Sequence, residues 1–383
     1  MDSVVNFSNR ARNATEPLFT RMLLMKSCYS LEHTKMENTL QNEFLKLIVG
    51  MSKKSCEQFL TSLQTTSSLS DFQAQFSHFM NSVENLQEAM RSFNKTSRLL
   101  AEGSNGRTQR GRGRIALERV PYYVDQAIDA LKWVEHLILV NAKAPVGFFG
   151  YPGKPSLHYP PNAEVHVLTR YEQNAEVALA ALAAELNAPA IAIPDRGPRP
   201  EVARGAPSPE GLARVLGALM PEGAIIADES VSYGRGFFPE THNAAPHDWL
   251  QITGGAIGCG MPLATGAAVG GGGRRVINMQ ADGSAMYTVQ SLWTQAREKL
   301  PVTTVIISNR KYAILLGEYR NVGANPGRTA MDMMDLGNPD IGWVKLAEGM
   351  GVEAAQATTL DQVADMMSQS FARPGPFLIE LVV

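Results

Sequence analysis

The sequence predicts an α/β protein with a doubly wound, mostly parallel sheet, preceded by an all-α N-terminal helical module. Two observations favour this fold class. From residue 115 onward, short β-branched apolar runs alternate with helical stretches, which is typical of βαβ units. Near residue 105 the composition changes sharply, from Ser, Asn, Gln, Met and Phe to Gly, Ala and Pro. This change marks the boundary between the two parts.

The N-terminal module, residues 1–104, carries helical periodicity twice. Apolar residues recur at spacings of three and four, the repeat of one face of an α-helix. The first stripe is Met36, Leu40, Phe44, Leu47 and Met51, and the second is Phe72, Phe76, Phe79, Val83, Leu86, Met90 and Phe93. A plain helical bundle or coiled coil is favoured over a catalytic role, because no titratable groups cluster on these faces.

The second stripe lies in the run LSDFQAQFSHFMNSVENLQEAMRSF. This run resembles the phasin family, small helical proteins that coat polyhydroxyalkanoate granules, and the resemblance extends over residues 40–100. It implies an apolar granule surface as a partner, since a helix with a Phe- and Met-rich face can lie on such a surface.

Two segments of biased composition divide the rest of the chain. GRTQRGRGR, residues 106–114, could bind phosphates, but it has no aromatic residues to stack on bases, so a solvated linker is favoured. A proline-rich stretch ending at Pro209 predicts a second linker. The predicted domains are 1–104 (helical module), 105–114 (Gly/Arg linker), 115–193 (partial α/β domain), 194–209 (Pro-rich linker) and 210–383 (second α/β domain).

Individual strands and helices follow from the apolar patterns of the two α/β domains. The predicted strands are 136–141, 165–168, 190–193, 224–228, 275–279, 302–307 and 377–383. The predicted helices include 123–131, 172–186, 211–219 and a stretch with Leu292, Trp293 and Ala296 on one face.

Composition and charge exclude several classes of protein. The formal net charge of −2 gives no global attraction to nucleic acid or to a membrane, and a hydrophobic content of 44% supports real cores. Cys28, Cys56 and Cys259 form no CxxC pair, which fits a reducing cytoplasm. No secretory signal and no membrane-spanning run is recognised, so we expect a soluble cytoplasmic protein.

The stretch from Met279 to Tyr312 carries the strongest functional signal. It reads as strand, turn, helix and strand, with Asp282 closing the first strand and Asn309 the second. In parallel α/β sheets ligands sit at the carboxyl ends of strands, so both side chains can meet at one edge. A carboxylate, an amide carbonyl and a backbone carbonyl suit Mg²⁺ that also binds phosphate. The alternative is an ordinary acidic turn.

Two more strand ends offer groups that suit a diphosphate. Residues 253–262, TGGAIGCGMP, form a glycine-rich turn entering a helix, where the backbone can approach an anion closely. Residues 228–232, DESVS, follow a strand and offer hydroxyl groups. Glycine also permits tight helix packing, but the three strand ends together favour one site.

With these motifs, residues 115–383 resemble the C-terminal part of thiamine-diphosphate enzymes of the acetolactate synthase and benzoylformate decarboxylase group. The family fingerprint is Gly-Asp-Gly followed about thirty positions later by Asn. Here it reads Ala281-Asp282-Gly283, with Asn309 twenty-seven positions after Asp282. The resemblance implies that Asp282, Asn309 and the main-chain carbonyl of Lys311 hold Mg²⁺. Residues 118–131 resemble the later portion of the family's middle domain.

The same resemblance assigns the contacts to thiamine diphosphate. Ser232, Ser284 and Tyr287 would bind the diphosphate. The carbonyl of Gly255 would accept the aminopyrimidine amine. Ile257 would wedge under the bent cofactor, although plain core packing is the alternative for this residue.

The sequence also departs from the family. Ala281 replaces the first fingerprint glycine, and Val231 stands where relatives often have a hydroxyl residue. No counterpart is found of the pyrimidine-binding domain, whose glutamate activates the cofactor, so the catalytic residue is unknown. The resemblance implies that a partner chain in a homo- or hetero-oligomer supplies this glutamate.

Three functions are candidates for this chain. The favoured one is a thiamine-diphosphate- and magnesium-dependent, acetolactate synthase-like enzyme acting on 2-oxo acids, incomplete without a second chain. The second is a non-catalytic helical granule- or partner-binding protein fused to an enzyme relic. The third, a nicotinamide dehydrogenase, is disfavoured because no acidic residue follows the glycine turn at the required distance.

Overall fold

The computed structural model describes residues 98–188, 193 and 197–383. The predicted stripes of the helical module and its phasin-like run lie outside these residues. The described part forms two compact units. The first includes residues 121–149 and 155–188, and the second includes residues 100–120, 150–154 and 197–383. The second unit thus takes in residues on both sides of the predicted boundary at residue 115.

The elements are numbered in chain order. The strands are β1 (Leu100–Ala101), β2 (Arg107–Arg110), β3 (Glu118–Arg119), β4 (His136–Val140), β5 (Glu164–Thr169), β6 (Ile225–Glu229), β7 (His247–Gln251), β8 (Val276–Ala281), β9 (Val302–Ser308), β10 (Glu353–Ala357) and β11 (Phe377–Val382). The helices are α1 (Val124–Leu131), α2 (Ala175–Glu185), α3 (Pro209–Leu219), α4 (Phe237–Glu240), α5 (Gly260–Gly270), α6 (Asp282–Ala285), α7 (Ser291–Arg297), α8 (Ala313–Asn321), α9 (Arg328–Met333), α10 (Trp343–Gly349) and α11 (Leu360–Phe371).

In the first unit, β4 and β5 pair in parallel. The second unit is built on a seven-stranded sheet in the order β10-β11-β9-β8-β6-β7-β2. Its strands are parallel except β2, which runs antiparallel to β7. This arrangement confirms the predicted doubly wound, mostly parallel sheet.

Helices cover both faces of this sheet. Successive residues of a strand point to opposite faces, so a strand that is buried throughout needs a helix layer on each side. On one face, Ile226 of β6 packs with α3 and α11. On the other face, Ile225 packs against α5. Three central strands, β6, β8 and β9, are almost fully buried, so that polar residues within them, such as Asn278 and Thr304, are buried as well.

The sheet order reverses at β6, which lies between β7 and β8. After β6 the chain first builds β7 on one side and then β8 on the other. Loops that leave such a switch point diverge, and the crevice between them is the usual ligand position in open α/β sheets. The site is therefore expected beyond the carboxyl ends of β6 and β8.

The Gly/Arg linker predicted for residues 105–114 is wrong at its centre. Residues 107–110 form the edge strand β2, whose Arg110 lies opposite His247 of β7. Arg110 is buried because its guanidinium carbon lies 3.5 Å from the centroid of the Phe238 ring and 5.1 Å from that of Trp249. Stacking on aromatic faces compensates part of the loss of hydration.

The proline-rich segment is more firmly held than a linker. Its described part, residues 197–208, contains no helix or strand, but Gly205 donates to Asp361 at 2.7 Å and accepts from the backbone of Leu360 at 2.9 Å. The helix predicted around residues 292–296 is found as α7, but the prediction that Leu292 and Trp293 share one face is wrong. Leu292 is buried, whereas Trp293 is 54% exposed. Adjacent residues of a helix point in different directions, so both cannot share one narrow face.

The remaining predicted elements that fall on described residues are found with small shifts at their ends, for example Pro209–Leu219 for 211–219 and Ala175–Glu185 for 172–186. The predicted strand 190–193 falls almost entirely outside the described residues. In the described part of the chain, no helix is long and apolar enough to cross a membrane.

Candidate functional site

The side chain of Glu229 ties two of the three predicted strand ends together. It closes β6 and is 1% exposed. Its Oε1 accepts from the backbone N–H of Gly258 at 2.5 Å, and its Oε2 accepts from that of Gly260 at 2.6 Å. Charge-assisted bonds of this kind are roughly twice as strong as neutral ones. The carboxylate therefore holds the glycine turn against the end of β6.

Gln280, the register partner of Glu229 on β8, extends this network to the third strand end. Its Nε2 donates to Glu229 Oε2 at 2.9 Å and to Ser284 Oγ at 2.9 Å. The hydroxyl of Thr288 then donates to the carbonyl of Gly258 at 2.7 Å. The loops after β6, β7 and β8 are thus joined by side-chain hydrogen bonds.

Asp282 begins α6 and is 2% exposed. Its Oδ1 accepts from the backbone of Gly283 at 2.8 Å, and its Oδ2 accepts from the backbone of Arg310 at 2.7 Å. The second bond reaches across to the loop that follows β9. Burial raises the pKa of the Asp282 carboxyl, and the backbone donors Arg310, Gly283 and Asn309 oppose that rise.

Asn309 and Lys311 lie in this same loop. The side-chain carbonyl of Asn309 accepts from the backbone of Lys311 at 3.1 Å, and the carbonyl of Lys311 accepts from Ala313 at 2.9 Å. Between them, Arg310 has a φ of +56°, in the left-handed region. The backbone amides of Asn309 and Arg310 both point to Asp282, so the predicted metal ligands belong to one loop cluster.

Strain also marks the loop after β6. Val231 has a φ of +51°, which is uncommon for a β-branched residue and costs of order 1–3 kcal/mol. The next residue, Ser232, is partly exposed at the start of a 3₁₀ turn, Tyr233–Gly236. Ser230 is not free to serve a ligand, because its hydroxyl donates to Asp228 at 2.5 Å. Ser232 is therefore the accessible hydroxyl of this segment.

The glycine turn presents its outer side to solvent. Gly254 and Gly255 have φ values of +59° and +66°, which explains why glycine stands at both positions. The carbonyl of Gly255 accepts from the backbone of Ile257 at 2.9 Å. Ile257 is 42% exposed, which argues against plain core packing, the alternative role for this residue. Tyr287 is 62% exposed.

The structure thus brings most of the predicted site residues to one edge of the sheet. Sequence reasoning missed Glu229, Gln280 and Thr288. The local sequence gives no signal for the first two, because the pairing of Glu229 with Gln280 depends on the register of β6 against β8. The binding roles of the predicted residues stay predictions.

The donor set fits a hard cation. In the part of the chain that the structure describes, no Lys, Arg or His side chain pairs with the buried carboxylate of Asp282. A buried carboxylate without a counter-charge is costly, and a bound cation removes that cost. Carboxylate, amide and backbone carbonyl oxygens are the ligand types that Mg²⁺ takes.

Fold and site together define a mostly parallel α/β protein with clustered oxygen donors and a glycine turn near the switch point of its sheet. Residues 238–381 match the family model described as thiamine pyrophosphate enzyme, C-terminal TPP binding domain. The matched region, residues 238–381, lies in the seven-stranded unit and is similar to the C-terminal domain of thiamine-diphosphate enzymes.

Individual relatives agree with this family. The chain is 48% identical over 278 residues to a Mycobacterium tuberculosis protein named "Putative acetolactate synthase large subunit IlvX". The aligned residues make up 72% of this chain and 54% of that protein. It is 31% identical over 206 residues to a benzoylformate decarboxylase of Pseudomonas aeruginosa, covering 53% and 38% of the two chains.

A solved structure gives the same result. The Rhodococcus jostii RHA1 thiamine diphosphate-dependent 4-hydroxybenzoylformate decarboxylase superposes with a TM-score of 0.54 and 25% identity, over 70% of this chain and 52% of that one. The chain spans about half the length of the Mycobacterium tuberculosis relative and of this solved structure.

Proposed function

We propose that this chain binds thiamine diphosphate together with Mg²⁺ at the carboxyl ends of β6, β8 and β9. The observation that carries the proposal is the buried Asp282 carboxylate, which lacks a cationic partner among the described residues and is hydrogen-bonded to the loop of Asn309. Asp282, Asn309 and the Lys311 carbonyl hold the ion in this proposal. An ion so placed neutralises both the carboxylate and the diphosphate.

The remaining contacts orient the cofactor. Ser232 and Tyr287 would bind the diphosphate oxygens, and Ser284 would join them when its hydroxyl turns away from the carbonyl of Ala281, to which it donates at 3.1 Å. The Gly255 carbonyl would accept the aminopyrimidine amine, and the exposed Ile257 would support the cofactor. The Glu229 carboxylate does not touch the cofactor in this scheme. It positions the turn through the amides of Gly258 and Gly260.

We propose further that the chain acts on 2-oxo acids, by decarboxylation or by carbon–carbon bond formation, in the cytoplasm. Thiamine diphosphate, when bound, supplies an electron sink for the bond next to the 2-oxo group. The identified residues bind and orient, and none of them is placed to activate the aminopyrimidine. In this proposal, as the family resemblance implies, the activating glutamate comes from another chain of a homo- or hetero-oligomer. The name of the Pseudomonas aeruginosa relative supports this substrate class, because benzoylformate is a 2-oxo acid.

Thermal unfolding of the full chain tests the binding step. Ligand at about 100 times its Kd stabilises by about 2.7 kcal/mol, which corresponds to a rise in Tm of about 5 to 10 °C. We expect thiamine diphosphate to produce this shift only when Mg²⁺ is present. Asp282→Asn and Asn309→Ala should abolish the shift, whereas Asp365→Ala, an exposed residue of α11, should keep it. The absence of any Mg²⁺-dependent shift in the unaltered chain would contradict the proposal.

A turnover assay separates the enzyme from the alternative of a granule- or partner-binding protein that carries an enzyme relic. Consumption of pyruvate or benzoylformate is measured with cofactor and Mg²⁺, first with the chain alone and then with a separately produced pyrimidine-binding domain. Turnover that requires the second chain is the expected result. Turnover by the chain alone would exclude a hetero-oligomeric source of the glutamate and leave a second copy of this chain or no partner at all, whereas binding without turnover in either case favours the relic.

A further inference from the structure

A second cluster of metal-ligating side chains lies in the other unit, on the parallel pair of β4 and β5. His136 of β4 is the register partner of Glu164 of β5, and Ile138 is the partner of His166. Residues two apart on a strand point to the same face. Glu164 and His166 therefore share one face, and the pairing brings His136 to that same face.

The distances between the donor atoms are short. His136 Nδ1 lies 3.2 Å from His166 Nε2 and 3.6 Å from Glu164 Oε2. His166 Nε2 lies 3.8 Å from Glu164 Oε1. One donor atom from each of the three residues can be chosen so that all lie within 4.8 Å of one another. The two imidazole rings are stacked, with centroids 5.4 Å apart.

These distances are those of a coordination shell. Zinc binds imidazole nitrogen and carboxylate oxygen at about 2.0–2.2 Å, usually with tetrahedral geometry. At this geometry two ligand atoms are separated by about 3.3 to 3.5 Å. The N–N separation of 3.2 Å and the two N–O separations of 3.6 and 3.8 Å, which involve different oxygens of Glu164, lie close to this value. An ion can therefore be placed between the three side chains with only small movements.

We propose that His136, Glu164 and His166 bind one divalent transition-metal ion, Zn²⁺ or an ion of similar ligand preference. Two imidazoles and one carboxylate leave at least one coordination position open for water or an added ligand. The site differs in chemistry from the Asp282 site, because imidazole nitrogen suits transition metals and the all-oxygen set suits Mg²⁺.

Exposure supports this assignment. Glu164 is 66% exposed and His136 is 37% exposed at the side chain, so an ion can reach them from solvent. His166 is only 12% exposed at the side chain, so its position is more restricted than that of the other two ligands. Without a metal, the two ring nitrogens share a single hydrogen bond, one donating and the other accepting. An ion replaces the shared proton and also neutralises Glu164.

Metal titration of the full chain tests the proposal. After removal of metals with EDTA, Zn²⁺ binding is followed by calorimetry, and Co²⁺ binding is followed by its visible absorption bands. We expect one saturable site per chain attributable to the cluster. Loss of a residue that merely orients a ligand costs about 10- to 100-fold in affinity, so His136→Ala, His166→Ala and Glu164→Gln should each cost at least that much.

The controls separate this site from others. Glu135→Gln removes an exposed carboxylate next to His136 and should leave affinity unchanged. Asp282→Asn should also leave the Zn²⁺ affinity of the cluster unchanged. A failure of the proposed zinc site can therefore be distinguished from a failure of the proposed cofactor site. Since Glu164 is largely exposed, Glu164→Gln should unfold at the temperature of the unaltered chain.

Two results would overturn the proposal. The first is the lack of any saturable Zn²⁺ or Co²⁺ binding. The second is a saturable site whose affinity and Co²⁺ spectrum survive in both His136→Ala and Glu164→Gln, which would assign the metal to other residues.

Discussion

The carboxylate of Glu229 accepts the backbone N–H of Gly260 at 2.6 Å, although the two residues lie 31 positions apart in the chain. Gly260 is the first residue of α5, where backbone donors lack partners within the helix. The same carboxylate binds Gly258 and Gln280. One buried side chain thereby sets the position of the glycine turn relative to the strands that carry the candidate site.

We expect Glu229→Gln to destabilise the fold by about 1–3 kcal/mol, because the new NH₂ group cannot accept a backbone N–H and leaves a buried donor unpaired. Urea unfolding at pH 7 measures the change. Glu222→Gln, on an exposed residue of the loop before β6, serves as the control and should be neutral. An unchanged midpoint for Glu229→Gln would remove Glu229 from its positioning role.

Gly260 and Gly266 stand in the same helix and form a matched pair. A Cβ at Gly260 would lie 2.2 Å from Gln280 Oε1 and 2.7 Å from Glu229 Cβ, whereas a Cβ at Gly266 meets nothing within 4 Å. Gly260→Ala should therefore cost about 1–3 kcal/mol, and should also weaken thiamine diphosphate binding. Gly266→Ala should stabilise by roughly 0.5–1 kcal/mol. Equal effects of the two changes on the free energy of unfolding would be inconsistent with this packing.

Stability should fall between pH 6.5 and pH 4 through His247. Burial lowers the pKa of His247 to about 4. The hydrogen bond to the carbonyl of Ala245 raises this pKa, and the charge of Arg110 lowers it. The unfolded chain takes up the proton near pH 6.5 and the folded chain only near pH 4, so unfolding becomes easier as the pH falls through this window. The loss amounts to roughly 2–3 kcal/mol.

His247→Asn tests this dependence. The amide nitrogen of Asn can replace the ring Nδ1, which lies 2.6 Å from the carbonyl of Ala245, but it does not titrate. The difference in unfolding free energy between the two proteins should change between pH 6.5 and pH 4 and stay constant above pH 7. A difference that is the same at every pH would rule out His247 as the source.

Cys259 should be a slow nucleophile. Burial, with the nearby charge of Glu229, raises the pKa of its thiol to about 11. Because the thiolate is the reactive form, alkylation at pH 8 should be on the order of 100-fold slower than that of free cysteine. A variant with Cys28→Ser and Cys56→Ser isolates this thiol. The rate with iodoacetamide should still rise between pH 8 and pH 10, and a plateau near pH 9 would contradict the raised pKa.

Much of the candidate site could be predicted because parallel neighbours end at one edge. Asp282 and Asn309 each follow an apolar run, so their proximity needed no knowledge of packing. The network around Glu229 could not be predicted in this way. The amides that it binds lie 29 and 31 residues away, and nothing in its local sequence distinguishes it from an exposed acid.

Arg110 and His136 illustrate the same limit. A Gly- and Arg-rich run normally reads as solvated, and only the approach of Phe238 and Trp249 permits Arg110 to be buried within an edge strand. The alternation of Glu164 and His166 is visible in the sequence. The arrival of His136 beside them depends on the register of β4 against β5.

The sequence by itself determined the strand and helix periodicity, the parallel sheet, and the two strand ends that carry Asp282 and Asn309, because these depend on contacts along the chain and on the handedness of βαβ units. The tertiary structure alone decided which buried acid holds the glycine turn, which arginine enters the sheet edge, and which histidines meet. These outcomes depend on the register and packing of segments distant in sequence, and short-range patterns carry no information about either.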